Sequence, residues 1–116
     1  MLIRNSLSPA TIEILESARD AAEVIARLCG RIGQAAGLDA TRIEHAGLDR
    51  ERTRTTAFPN GAALPHCRLP DLTRFVTGLA VLRKPVRWDS EGHAVDRVML
   101  ITGPLSAVSD HLRILA

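Results

Sequence analysis

Two apolar runs, Phe75–Leu82 and Val95–Thr102, constrain this chain more than any other feature. Each is short, nearly continuous and bounded by turn-forming residues, the pattern of a strand buried inside a sheet. Asp89-Ser90-Glu91-Gly92 supplies a turn between them, and Gly103-Pro104 is expected to break the second run. Pro85-Val86-Arg87-Trp88 reads as a short, separate edge strand, because an edge tolerates proline's missing N–H.

Buried strands need cover, and the cover lies upstream. Asp20 is a good N-cap with Glu23 three residues on, as in a capping box. Val24, Ile25, Leu28 and Ile32 then recur at helical spacing, and Gly37 suits a C-terminal cap. A second helix is expected from Asp39 to about Arg52, with Ile43, Ala46 and Leu48 turned inward and Gly47 weakening it. Thr53, Thr55 and Thr56 make continuation unfavourable. Before Asp20 the pattern is weak. Ser8-Pro9 could open a turn of helix, while Ile12, Ile14 and Leu15 could lie extended against the core.

Past the helices, Phe58-Pro59-Asn60-Gly61 is a turn and Ala62-Ala63-Leu64 a short strand stopped by Pro65. Ser106–Ala116 opens a helix with Val108, Leu112 and Leu115 on one side, and the chain stops inside it. That predicts a C-terminal part missing from the domain. Two helices, several strands and a helix give one α/β domain over 1–116, a mixed β-sheet flanked by helices.

Composition narrows the function. A chain of 116 residues, 46% hydrophobic, supports one core. Aromatics are 3%, too few to stack on bases or sugar rings, and a net charge of +2 spread along the chain argues against nucleic acid. Of fifteen basic residues only Lys84 is lysine, which a coding bias toward arginine explains. Cys29 and Cys67 are too few for a disulfide framework, and Cys29 sits among apolar helix positions as a small core residue. Neither a signal peptide nor a membrane span is evident, so a soluble cytoplasmic protein without membrane insertion is expected.

Chemistry concentrates in Arg50–Arg68, where cations and hydroxyls precede a turn and an apolar run ending on Pro65-His66. Of the histidines, His45 reads as exposed on a helix and His93 as solvated in a turn. His66 and His111 each follow a break and border an element. A zinc site from His66, Cys67, Asp110 and His111 matches no common ligand spacing, and a Cys67–His111 nucleophilic pair lacks support. No phosphate loop, zinc helix or nucleophile elbow is present. The residues alone leave the chemistry open.

Leu48-Asp49-Arg50-Glu51, Thr55-Thr56 and Asn60-Gly61-Ala62-Ala63-Leu64-Pro65-His66, taken in order, resemble the signature of the fructose/mannitol-type IIA domains. These belong to the bacterial phosphoenolpyruvate-dependent sugar phosphotransferase system, and the nitrogen-regulatory IIA proteins share the pattern. Pro85–Trp88, Gly92 with Val95, and Pro104 before His111-Leu112 resemble later landmarks of the family. Ala57, Pro59 and Cys67 stand where the family usually has glycine.

The resemblance implies that His66 accepts a phosphoryl group from the phosphohistidine of an HPr-type carrier and passes it to a IIB cysteine for carbohydrate uptake. Arg50 and Thr56 would hold the phosphoryl oxygens, His111 would hydrogen-bond the phosphate or orient His66, and no metal or organic cofactor is implied. Two other readings stay open: a nitrogen-branch regulator whose phosphorylation controls partner binding, and an inactive IIA-like domain.

Overall fold

The computed structural model describes residues 7–105. The helix expected over 106–116, and His111 within it, lie outside the described residues. The chain runs β1 (Leu7–Leu15), α1 (Ala21–Ala36), α2 (Ala40–Thr53), β2 (Ala62–Ala63), β3 (His66–Leu69), β4 (Val76–Arg87) and β5 (Ala94–Pro104).

The helices start and stop where local chemistry dictates. Asp20 caps α1 by accepting from the Glu23 amide at 2.9 Å, while the Glu23 carboxylate accepts from the Arg19 amide, one residue beyond a standard capping box. Gly37 ends the helix at φ +70, a left-handed conformation that glycine adopts without steric cost. Asp39 caps α2 through the amides of Thr41 and Arg42. Gly47 is buried, and a methyl there would only reach ordinary contact with Ile25 at 3.7 Å, so its cost is helix propensity.

The sheet is mixed. β1 pairs parallel with β4, β4 antiparallel with β5, and both β2 and β3 lie parallel along the other edge of β5. Alternation along the central pair places Gly78, Ala80, Leu82, Val98 and Leu100 under α1, whose Val24, Ile25, Leu28, Cys29 and Ile32 are fully buried. α2 packs on α1 and on β3, which fixes its C-terminal turn beside the start of β3.

Three expectations are corrected and one is extended. Ser8-Pro9 belongs to β1 and not to a helical turn; the Thr11 hydroxyl bonds the Ser8 carbonyl there and the register with β4 shifts. The short strand does stop before Pro65, but the edge continues beyond it: the Pro65 carbonyl accepts from the Ile101 amide at 3.0 Å and pairing resumes at His66 as β3. Only the proline N–H is missing, and the ladder survives through the carbonyl. Pro85–Trp88 is no separate strand, since β4 runs on to Arg87 past a register shift between Val81 and Val86 that accommodates Pro85. Gly103-Pro104 remains in β5, paired with Arg68 and Leu69.

Candidate functional site

The C-terminal turn of α2, the loop to β2, the head of β3 and the β4–β5 hairpin surround an open cleft of about 660 Å³. Its lining includes Arg50, Arg54, Thr55, Thr56, His66 and His93. Arg50, Thr56 and His66, distant in mechanism until the chain folds, therefore share one cavity.

His66 is half-buried at the first position of β3. Its Nδ1 lies 3.1 Å from the Leu64 carbonyl oxygen, which only accepts, so Nδ1 carries the proton and the neutral ring has its lone pair on Nε2. Burial lowers the His66 pKa below the ordinary histidine value; the Leu64 bond opposes that shift, and the nearby cations Arg50 and Arg68 add to it. A neutral imidazole at physiological pH is the nucleophilic form.

Arg50 stands in the last turn of α2, where a cation also opposes the negative end of the helix dipole. Its Nη1 donates to the Arg54 carbonyl at 2.9 Å, the one side-chain bond it makes among the described residues, and a guanidinium carries five N–H donors in all. Thr56 is buried, and its hydroxyl donates to Glu51 Oε1 at 2.7 Å. The single hydroxyl proton is thus held by Glu51. The adjacent Thr55 behaves likewise, donating to Asp89 Oδ2 at 2.6 Å.

Cys67, next along β3, turns into the core at 4% exposure, and burial pushes its thiol up to about 12. A thiol so rarely ionised is no nucleophile, which removes the Cys67 half of the pair weighed with His111. Among the described residues no residue other than glycine has positive φ, so Ala57, Pro59 and Cys67 sit where this sequence folds without backbone strain.

His45 is exposed, as expected. His93 is not simply solvated: 24% of its side chain is exposed, its Nδ1 meets Asp89 Oδ2 at 2.7 Å and its amide donates to Asp89 Oδ1. Sequence reasoning also passed over Glu51, which accepts from the Thr56 amide at 2.7 Å and from Trp88 Nε1 at 3.1 Å besides the Thr56 hydroxyl. Asp89 feels opposing influences. Burial alone would raise its pKa, yet donation from Thr55 and His93 outweighs burial and holds the carboxyl at about 2. Asp89, Glu91 and His93 place their donor atoms within 4.8 Å of one another, the one such group of potential metal ligands among the described residues.

The fold, a mixed sheet flanked by two helices, is that of solved IIA domains. The nitrogen regulatory protein IIA-Ntr of Neisseria meningitidis superposes with a TM-score of 0.87 at 20% identity, over 97% of this chain and 78% of that one. The mannitol IIA of Escherichia coli does so with a TM-score of 0.78 at 18% identity, over 93% and 77%. At the level of sequence, the family described as "Phosphoenolpyruvate-dependent sugar phosphotransferase system, EIIA 2" matches residues 5–116, and the chain belongs to it. Two proteins named nitrogen regulatory protein are similar in sequence. That of Bradyrhizobium diazoefficiens is 30% identical over all of this chain and 76% of its own length, and that of Pseudomonas aeruginosa 34% identical over 80% and 60%. The chain thus spans between 60% and 76% of these relatives. No helix among the described residues is long and apolar enough to cross a membrane.

Proposed function

We propose that this domain is a phosphocarrier that accepts a phosphoryl group on Nε2 of His66. The observation that carries the reading is the His66 Nδ1–Leu64 carbonyl bond, in a cleft shared with Arg50. That bond fixes the tautomer that leaves Nε2 nucleophilic. In the transfer, the P–N bond to a donor imidazole breaks as the P–Nε2 bond forms, and the donor ring departs with its electron pair. The proton on Nδ1 stays in place, and the Leu64 carbonyl stabilises the positive charge that develops there.

Arg50 supplies charge-assisted donors to the equatorial oxygens, where transfer needs positioning and charge neutralisation more than covalent help. Thr56 contributes through its hydroxyl only if the bond to Glu51 opens; in the geometry described it shapes the wall beside Arg50. His111 keeps its expected role as a second phosphate ligand or as an orienting group for His66. The donor would be an HPr-type phosphocarrier.

The sequence pointed first to carbohydrate uptake with a IIB cysteine as acceptor, and the mannitol IIA of Escherichia coli is structurally known with phosphorylated IIB. The relatives at 30% and 34% identity are instead named nitrogen regulatory proteins, which favours the regulatory branch, where the phosphorylation state of His66 would govern partner binding. The chemistry at His66 is the same in both. Incubation with labelled phosphoenolpyruvate, enzyme I and an HPr-type carrier is expected to give acid-labile, base-stable label that His66→Ala removes. Unchanged labelling of His66→Ala, or none in a folded wild-type protein, overturns the reading; the latter outcome leaves an inactive IIA-like domain.

A further inference from the structure

The β4–β5 hairpin carries a second imidazole into the His66 cleft, and we propose that His93, held by Asp89, donates a hydrogen bond to the phosphoryl group while it resides on His66. The inference rests on the phosphocarrier reading.

His93 is fixed at several points. The Trp88 amide donates to the His93 carbonyl at 2.8 Å, closing the hairpin, and Gly92 makes the turn at φ +85. The His93 amide donates to Asp89 Oδ1 at 3.1 Å and its ring to Oδ2 at 2.7 Å. Asp89 is held in turn by the Thr55 hydroxyl, from the loop that follows α2 on the Arg50 side of the cleft. An ionised carboxylate at 2.7 Å requires the proton on Nδ1, so Nε2 is the nitrogen left to serve the cleft. When the ring is protonated, Nε2 is a donor. A phosphoryl group on His66 presents three anionic oxygens to the cleft that His93 also lines, and a ring that Asp89 already orients gives up little freedom in donating to one of them.

The charged groups around His93 are Asp89 at 2.7 Å, Glu91 at 3.6 Å, and Arg50, Arg54 and His66 among the residues lining the same cleft. A divalent cation on Asp89, Glu91 and His93 is a competing occupant. It would need the Nδ1 lone pair, displacing the proton that makes the 2.7 Å bond, and would have to order Glu91, whose side chain is 64% exposed. A proton satisfies the same atoms with no rearrangement.

The test uses phosphoramidate, which transfers its phosphoryl group to histidine with release of ammonia and needs no donor protein. Phosphorus NMR follows formation and hydrolysis of phospho-His66 from pH 5 to 9, with EDTA present, in the full chain and in His93→Gln, Asp89→Asn and His45→Gln. His93→Gln should still label on His66 but form the product about tenfold more slowly, the size expected for one charge-assisted hydrogen bond. Asp89→Asn, a positioning change, should move the rate the same way, and His45→Gln should match wild type. Labelling of His93→Gln at the wild-type rate overturns the proposal. An effect of His93→Gln that exists only with added zinc overturns it in favour of a bound cation. Absence of label in wild type removes the phosphocarrier reading itself.

Discussion

Glu51 and Asp89 occupy comparable positions and do different work. Thr55 and Thr56 are adjacent, yet their hydroxyls go to different carboxylates, Thr55 to Asp89 and Thr56 to Glu51. Each carboxylate also joins the end of α2 to the β4–β5 hairpin, Glu51 by accepting from Trp88 and Asp89 by accepting from Thr55. The partners of Glu51 are donors that never titrate: an amide, a hydroxyl and an indole. Those of Asp89 include an imidazole, the one partner in the two sets that can exist with or without a charge. One carboxylate is therefore a fixed brace, and the other couples the same brace to a group that can respond to the contents of the cleft.

The largest effect should come from breaking the fixed brace. Glu51→Ala removes the acceptor for the Thr56 amide, the Thr56 hydroxyl and Trp88 Nε1, on residues only 9% and 5% exposed. Leaving buried donors unmatched costs about 1–3 kcal/mol each, relieved in part by water, so a loss of about 3 kcal/mol in urea unfolding is expected. Glu51→Gln, which keeps one acceptor oxygen, should lose less. A loss below about 1 kcal/mol in Glu51→Ala would show that Glu51 is not the brace.

The contrast between these carboxylates also marks what the sequence could and could not disclose. Asp20, Gly37 and Asp39 were legible because capping is decided within a few residues of chain. The buried strands were legible from their apolar runs, but not their lengths. Pro65, Pro85 and Gly103-Pro104 look like stops in isolation, and only the neighbouring strand shows which backbone groups still find partners. His66 was singled out by the order of landmarks around it. Glu51 was not, because its meaning depends on Trp88, 37 residues away, and His93 looked solvated because the Thr55 that holds Asp89 is 34 residues from it.

Asp89→Asn should cost less at neutral pH, about 1–2 kcal/mol, since the amide oxygen still accepts one bond. Its signature is in acid. The Asp89 carboxyl is depressed from its ordinary value to about 2 on folding, so its contribution is complete above the unfolded value and disappears as pH falls through about 2. Wild-type stability should therefore decline between about pH 4 and pH 2 with a component that Asp89→Asn lacks. Thermal unfolding across that range checks it, and parallel acid profiles for the two proteins would remove Asp89 from the set of acid-sensitive groups.

Thr55→Val makes the smallest change and the sharpest comparison. It deletes the hydroxyl that donates to Asp89 and supports the Ala57 amide, while keeping the branched shape of a half-buried side chain. Because the region borders solvent and Asp89 retains both bonds from His93, water can replace the lost donor, and about 0.5–1 kcal/mol is expected. The consequence should be felt more by the Asp89 carboxyl than by the fold at neutral pH. With one donor fewer on Oδ2, Asp89 is protonated more readily, so the acid-induced loss of stability that it contributes should begin at higher pH in Thr55→Val than in wild type, read by thermal unfolding. Thr56→Val, acting on Glu51, should leave that acid component where it is. If both substitutions shift it equally, the two carboxylates form one electrostatic unit, and the division between a fixed brace and a responsive one does not hold.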